Sequence, residues 1–314
     1  MEKEIDDADG ESQVGTSLHS VEVSARKPRK RPVGQLKVFS TRNVEVSADI
    51  SATVAGNQNK TSERDSKIIA NTRFLDSFYD VPCDQLAKNL LGHVLVRQLS
   101  DGKLLKGRIV ETECYPGGED RASHSFQGKM TERNAPMYMK PGTTYVYFTY
   151  GMYHCFNISS QGPGAAVLLR AIEPLEGMDY MQQERNKKRK VACMYKAHQL
   201  ANGPSKLCIS MSIDKGSCNA QDMCSWDGLW IEPAERDYQC GDSTWLAAVE
   251  AHKVVATSRI GITSSGAEWA SKPYRFYVIG NASVSKRDKI KEKEVMSIAE
   301  ILEKEKRRCG SLTP

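Results

Sequence analysis

Between residues 108 and 172, this 314-residue sequence gathers side chains suited to chemistry on a flat, charged ring. Glu113 and Arg170 bracket the stretch, and Tyr115, His124, Tyr138, Tyr145, Tyr147, Tyr150, Tyr153 and Asn157 lie between them. Each phenol and each charge must find a hydrogen bond or stay wet, so an ordinary apolar core is not built this way. Arg170 is the sharpest signal, because it interrupts an apolar run of Val167, Leu168, Leu169 and Ala171. A guanidinium buried in a strand wants a carboxylate, and Glu113 is the natural partner. Alone, Glu113 reads as a strand carboxylate facing solvent or a nearby lysine. Paired with Arg170, it reads as a general base taking a proton from an attacking water. Tyr115, His124 and Tyr147 suit stacking around an extruded ring, with half-buried sheet packing as the alternative. Tyr150 stands at a turn with little core to join; it reads as a wedge between base pairs or as a contact to a neighbouring loop. Together these residues point to a nucleobase pocket.

The elements that must carry them follow from periodicity. Residues 106–115 read as a strand, with Ile109, Glu111, Glu113 and Tyr115 on one face and Val110, Thr112 and Cys114 on the other. Residues 116–118 (PGG) break it, and a long loop over 119–141 carries His124; loops of that length are usually functional or mobile. A hairpin follows, with strands at 143–150 and 154–159 and Gly151 relaxing its tip. There Tyr145 and Tyr147 share one face, Val146 and Phe148 the other. After a turn at 161–164, a strand over 165–172 places Ala166, Leu168 and Arg170 together. Upstream, Pro82 and Asp84 open a short helix bearing Leu86, Leu90 and Leu91, with Gly92 past its end. Residues 94–97 form a further strand. Downstream, a helix over 178–189 ends basic, and Ser205 caps a helix bearing Leu207, Ile209 and Met211. Residues 229–231, 258–262 and 274–279 read as strands. Residues 288–308 carry a helical stripe of Val295, Ile298, Ile301 and Leu302.

One folded domain over 71–285 with polar tails accounts for an apolar fraction of 39% and a mean hydropathy of −0.51. Residues 1–70 keep no period and bury too little to offset their ordering entropy, so they are expected to be disordered. Residues 286–314 are expected to form a charged helix or tail. The net charge is only +5, but it is patchy, with runs at 26–31 (RKPRKR), 186–190 (NKKRK) and 304–308 (KEKRR). The first run has the form of a nuclear import signal, against a nonspecific DNA contact or a solvated run. Nine cysteines, an odd count without CxxC, read as free thiols in a reducing compartment. Cys208, Cys218, Cys224 and Cys240 fit no zinc spacing. No requirement for a metal or organic cofactor is expected. No apolar run reaches the ~18 residues of a membrane helix, and there is no internal repeat.

At this point a resemblance emerges. Residues 108–115 (RIVETECY), 133–134 (RN), 139–143 (MKPGT), 145–147 (YVY), 150–153 (YGMY) and 157–160 (NISS) resemble the alkyladenine DNA glycosylase family, also called 3-methyladenine or N-methylpurine DNA glycosylases. The match continues through 168–171 (LLRA), 173–177 (EPLEG), 203–207 (GPSKL) and 272–278 (KPYRFYV). It covers residues 72 to 285, and the tails match nothing of use. The resemblance implies a mixed α/β (α+β) fold: a single domain around a curved antiparallel sheet, with flanking helices and a hairpin that enters the DNA minor groove. It implies removal of alkylated purines such as 3-methyladenine and 7-methylguanine from double-stranded DNA, and often of hypoxanthine and ethenoadenine.

Carried over residue by residue, the resemblance implies Glu113 as general base. Arg170 helps hold the nucleophilic water, and the backbone carbonyl of Ile260 is that water's third contact. Tyr115, His124 and Tyr147 are implied as stacking walls, and Tyr150 as the side chain filling the gap left by the flipped nucleotide. Asn157 crowds the exocyclic amine of normal guanine, and Leu168 lines the pocket. Two places depart from the family pattern: Glu132 stands where proline is common, and residues 126–129 (FQGK) differ from a more Gly/Arg-rich loop. Both bear on substrate range and nonspecific affinity, not on the catalytic pair. With no lysine nucleophile in the motif, the expectation is a monofunctional, monomeric, nuclear glycosylase that leaves an abasic site and starts base excision repair. Two rivals stand beside it. One is a noncatalytic protein that binds alkylation damage, against which the intact Glu113/Arg170 pair speaks. The other is an unrelated hydrolase of small acyl or formyl compounds, which predicts no salt-sensitive DNA binding.

Overall fold

The structure, a computed structural model, describes residues 73–149, 151–234 and 253–310, the last ten in backbone only. Residues 1–70 with their basic run, Tyr150 and Cys240 lie outside the described residues. Among the described residues, eight strands make one sheet: β1 (Val94–Gln98), β2 (Leu104–Tyr115), β3 (Thr144–Thr149), β4 (Tyr153–Ser159), β5 (Ala166–Glu176), β6 (Leu229–Glu232), β7 (Val254–Thr257) and β8 (Arg275–Val278). Their order is β3-β4-β5-β2-β1-β6, with β8 also on β2 and β7 on β8. Every strand pairing is antiparallel. The main helices are α1 (Cys83–Asn89), α2 (Met178–Asn186), α3 (Pro204–Ser210) and α4 (Lys289–Gly310). The fold is thus mixed α/β, a large antiparallel sheet with flanking helices. Among the described residues, no helix is long and apolar enough to cross a membrane.

Side-chain alternation along β3, β4 and β5 decides which residues enter the core. Val146, Phe156, Ile158, Val167 and Leu169 are fully buried against Leu86, Leu90 and Leu91 around α1, Met181 of α2 and Leu207 of α3. Gly92, past the end of α1, has φ 86°, the left-handed conformation that lets the chain leave the helix for β1. Thr112 donates its hydroxyl to the Ala87 carbonyl at 2.7 Å, tying β2 to α1. At the edge of the sheet the β3–β4 hairpin turns through Gly151 at φ 64°, and Phe148, Met152 and Tyr153 near its end are exposed.

β2 departs from strict alternation. Ile109 pairs with Ile172 but Glu111 with Ala171, so Val110 is an extra residue on β2. One step on, Thr112 pairs with Leu169, and Arg170 is the extra residue on β5. The two bulges cancel in register, and each re-aims a side chain. Ile109 therefore belongs to the main core, not to the face of Glu111, and Val110 packs instead with Ala171, Val255 and Tyr277.

Other predicted bounds are corrected too. Residues 258–262 are not a strand: β7 stops at Thr257, because Arg259 turns inward to Asp120 and the Ile260 amide turns to Glu113. β5 runs on through Pro174, which is tolerated because β4 flanks it only as far as Leu168. α2 ends at Asn186, whose side chain bonds back to the Gln182 carbonyl and across to both polar groups of the Cys193 backbone. Ser205 does not cap α3; Gly203 precedes the helix and Pro204 opens it, since a missing N–H costs nothing in the first turn. Of the two alternatives for the C-terminal segment, helix or tail, residues 289–310 are helical. Val295 packs on the Val110 cluster, Ile298 is exposed, and the side chains of Ile301 and Leu302 lie outside the described residues.

Candidate active site

A cleft of about 460 Å³ opens on the face of β3, β4 and β5 away from the main core, within the usual size of small-ligand sites. Glu113, Tyr115, His124, Tyr147, Asn157, Leu168, Arg170 and Ile260 all line it. Of the residues singled out from sequence, Tyr138 and Tyr153 do not line this cleft, and Tyr150 lies outside the described residues.

Glu113 projects from the bulged part of β2 and is fully buried. Its Oε1 pairs with Arg170 Nη1 at 3.1 Å and accepts the Ile260 N–H at 2.8 Å. Its Oε2 accepts the Tyr115 hydroxyl at 2.8 Å. A carboxylate offers about four lone-pair positions. Oε1 is engaged twice and Oε2 once, so a spare acceptor position remains on Oε2. Burial, and then the Glu113 charge, push the Tyr115 pKa up, so its hydroxyl remains a donor. Arg170 is buried and reaches a second carboxylate, donating from Nε to Glu111 Oε1 at 3.0 Å. Burial works against its charge, but Glu113 and Glu111 more than offset that, and its pKa is raised.

Facing this charged floor is an aromatic wall. The His124 and Tyr147 rings meet edge to face, 4.7 Å between centroids at 73°, and Tyr145 and Tyr147 lie 5.2 Å apart. His124 Nδ1 and the Tyr145 hydroxyl share a hydrogen bond of 2.8 Å. Although His124 is open to the cleft, burial against the rings and then the Arg133 charge lower its pKa to about 4, which leaves a neutral imidazole at pH 7. Two walls carry a guanidinium. Arg259 sits 4.7 Å from the Tyr115 centroid without itself lining the cleft, so it backs the ring from behind. Arg133 sits 4.9 Å from the Tyr147 centroid and does line the cleft. Asn157 is tied to the Tyr145 carbonyl through Nδ2 at 3.0 Å and pairs in register with Leu168.

Sequence reasoning missed the supports. Arg259 grips Asp120 with two nitrogens at 2.6 and 2.8 Å and donates to the Cys114 carbonyl at 3.0 Å, all buried. Glu111, placed on the right face but given no role, holds Arg170 and Arg275. A signal existed for Arg275: like Arg170, it interrupts an apolar strand, here Tyr274 to Val278. For the Ile260 amide there was none, because a side chain does not reveal where its backbone N–H points. Outside the cleft, Asp76, Asp222 and Cys224 have metal-type spacing among the described residues. The two carboxylates are instead bridged by Lys140 Nζ at 2.9 and 2.8 Å.

Comparison with known proteins gives a concordant result. A family model described as Methylpurine-DNA glycosylase (MPG) matches residues 77–282. The chain is 50% identical over 217 residues to the DNA-3-methyladenine glycosylase of Mus musculus, covering 68% of this chain and 62% of that protein. It thus spans less than two thirds of the mouse relative. It is 46% identical over 230 residues to the Homo sapiens protein of the same name, covering 72% of each. A putative 3-methyladenine DNA glycosylase of Clostridium tetani is 44% identical over 218 residues, which make up 97% of its own length.

Proposed function

This chain belongs to the methylpurine-DNA glycosylase family, and from that premise we propose that it is a DNA-3-methyladenine glycosylase: a hydrolase that cuts the N-glycosidic bond of alkylated purines in duplex DNA and starts their excision repair. The observation that carries the proposal is the buried Glu113 carboxylate, held 3.1 Å from Arg170 at the floor of a ring-lined cleft. The target bond lies inside the base stack, so the nucleotide must rotate out before it can reach that floor. Unstacking costs a few kcal/mol, less at a damaged pair. In this reading Tyr150 fills the gap and offsets part of that cost. Tyr115, His124 and Tyr147 wall the extruded purine, and Asn157 and Leu168 shape the pocket beside it. An alkylated purine carries positive charge, which an aromatic face favours by roughly 0.5–2 kcal/mol, and the charge makes the base a good leaving group.

The chemical step then needs an oriented water and a stabilised sugar cation. Glu113 serves both ends: Oε2 takes the water's proton, and the carboxylate charge faces the oxocarbenium-like sugar. Arg170 and the Ile260 carbonyl complete the proposed water site. Its substrates include 3-methyladenine and 7-methylguanine, with hypoxanthine and ethenoadenine as further candidates. The basic run at 26–31 directs it to the nucleus.

The test is incubation with duplexes that each hold one defined modified purine, followed by alkaline cleavage at abasic sites. Release from the methylated purines, with strands intact before alkali, is the expected result. Nicks without added alkali would overturn the monofunctional chemistry. Tight lesion binding with no release would favour a noncatalytic damage-binding protein.

A further inference from the structure

The residues behind Glu113 carry an inference that rests on the glycosylase reading and deepens it. Glu111, two positions earlier on β2, is fully buried and serves three donors. Its Oε1 accepts from Arg170 Nε at 3.0 Å and from Arg275 Nη1 at 2.9 Å, and its Oε2 accepts the Ser285 N–H at 2.7 Å. Arg275 reaches further, donating from Nε to the Ser258 carbonyl at 2.9 Å and from Nη1 to the Lys286 carbonyl at 2.7 Å. Neither Glu111 nor Arg275 lines the cleft, so neither touches a base lodged there.

These contacts converge on one atom. Glu113 Oε1 meets Arg170 Nη1 and the Ile260 N–H. Arg170 is held from behind by Glu111, and the segment that presents Ile260 is held by Arg275 two residues earlier, at Ser258. Both partners of that oxygen are thus anchored on the same buried pair. Buried ion pairs are a weak source of net stability, because desolvation cancels most of the attraction. One carboxylate, Glu111, and two guanidiniums, Arg170 and Arg275, packed behind one working acid are therefore poorly explained by stability alone. They do fix directions: carboxylate contacts at both Nε and Nη1 leave Arg170 little freedom to swing.

We propose that Glu111 and Arg275 are positioning residues for the glycosylase reaction, aiming Arg170 and the Ile260 amide so that Glu113 is held in its working orientation. They act through other residues and contact no substrate.

The experiment compares Glu111→Gln and Arg275→Lys with wild type in the full chain. It reads the single-turnover rate of base release from a duplex holding one 7-methylguanine, the Kd for the same duplex, and the melting temperature. Both variants should slow release by about a hundredfold, the usual cost of a small misplacement, with Kd little changed. In an Arg170→Lys background, Glu111→Gln should add almost nothing, because both changes act through one contact. A folded Glu111→Gln protein with the wild-type rate would overturn the proposal. So would losses that appear equally in Kd, or effects that simply add to Arg170→Lys. If Glu111→Gln fails to fold, Arg275→Lys, which keeps the charge, decides by the same criteria. Variants that match an active wild type overturn this proposal alone. A wild type that releases no base overturns the proposed function, and this inference with it.

Discussion

Strands β2 and β5 present one face to the main core and the other to the cleft, and the two faces are held by opposite means. Toward the core, Leu105, Ile109, Val167 and Leu169 are fully buried and contribute through apolar area. On the opposite side, the same strands present Glu111, Glu113 and Arg170, all buried and joined by ion pairs and hydrogen bonds near 3 Å, and of these Glu113 and Arg170 line the cleft. An apolar contact is non-directional and tolerates small shifts. A buried charge is costly unless its partner stands in the right place. One face therefore supplies stability and the other supplies orientation. The two bulges separate these duties, since they send Ile109 to the core and Glu111 to the charged side within three residues.

Three substitutions or conditions test that division. The largest effect is expected from Glu113→Gln. Base release should fall by about 10²–10⁴-fold, the contribution of a positioned general base, while lesion binding survives. The domain should stay folded, because Arg170 keeps Glu111 as a partner. Undiminished release in a single-turnover assay would break the assignment of orientation to this face.

Next comes Leu169→Ala on the opposite face. Loss of a fully buried leucine should cost roughly 2–5 kcal/mol of stability, read by urea unfolding, with the release rate per folded molecule unchanged. A rate that falls in proportion to stability would show that the two faces are not separable.

The smallest effect concerns His93, a titratable group on the apolar side. It is buried beside Phe74 and Phe78 and accepts the Ala234 N–H at 3.1 Å. Burial lowers its pKa from 6.5 to about 4. The unfolded chain therefore takes up the proton first as the pH drops. The neutral ring's contribution is complete above pH 6.5 and is lost as the pH falls from there toward 4. The shift corresponds to about 3 kcal/mol. Urea midpoints measured across that range should decline in wild type and flatten in His93→Gln; parallel curves would rule this group out.

Much of the cleft is legible in the sequence. Period-two alternation on β3, β4 and β5 places Tyr145, Tyr147, Asn157, Leu168 and Arg170 on one side, and an arginine inside an apolar strand announced a buried acid. The same rule failed on β2, where one inserted residue, Val110, reverses the faces upstream of Glu111. It also failed at residues 258–262, where the pattern of a strand was used for two inward contacts.

Local sequence was enough for the sidedness of the regular strands and for the Glu113–Arg170 pairing, because side-chain alternation and the cost of burying a charge are written locally, but not for β7, which ends before the strand expected at 258–262. The bulged register of β2, the Arg259–Asp120 clasp and the convergence of Arg170 and the Ile260 amide on one carboxylate oxygen arise from long-range packing. Those depend on which distant backbone lies alongside, and residues 139 and 147 positions apart meet only after the sheet has formed.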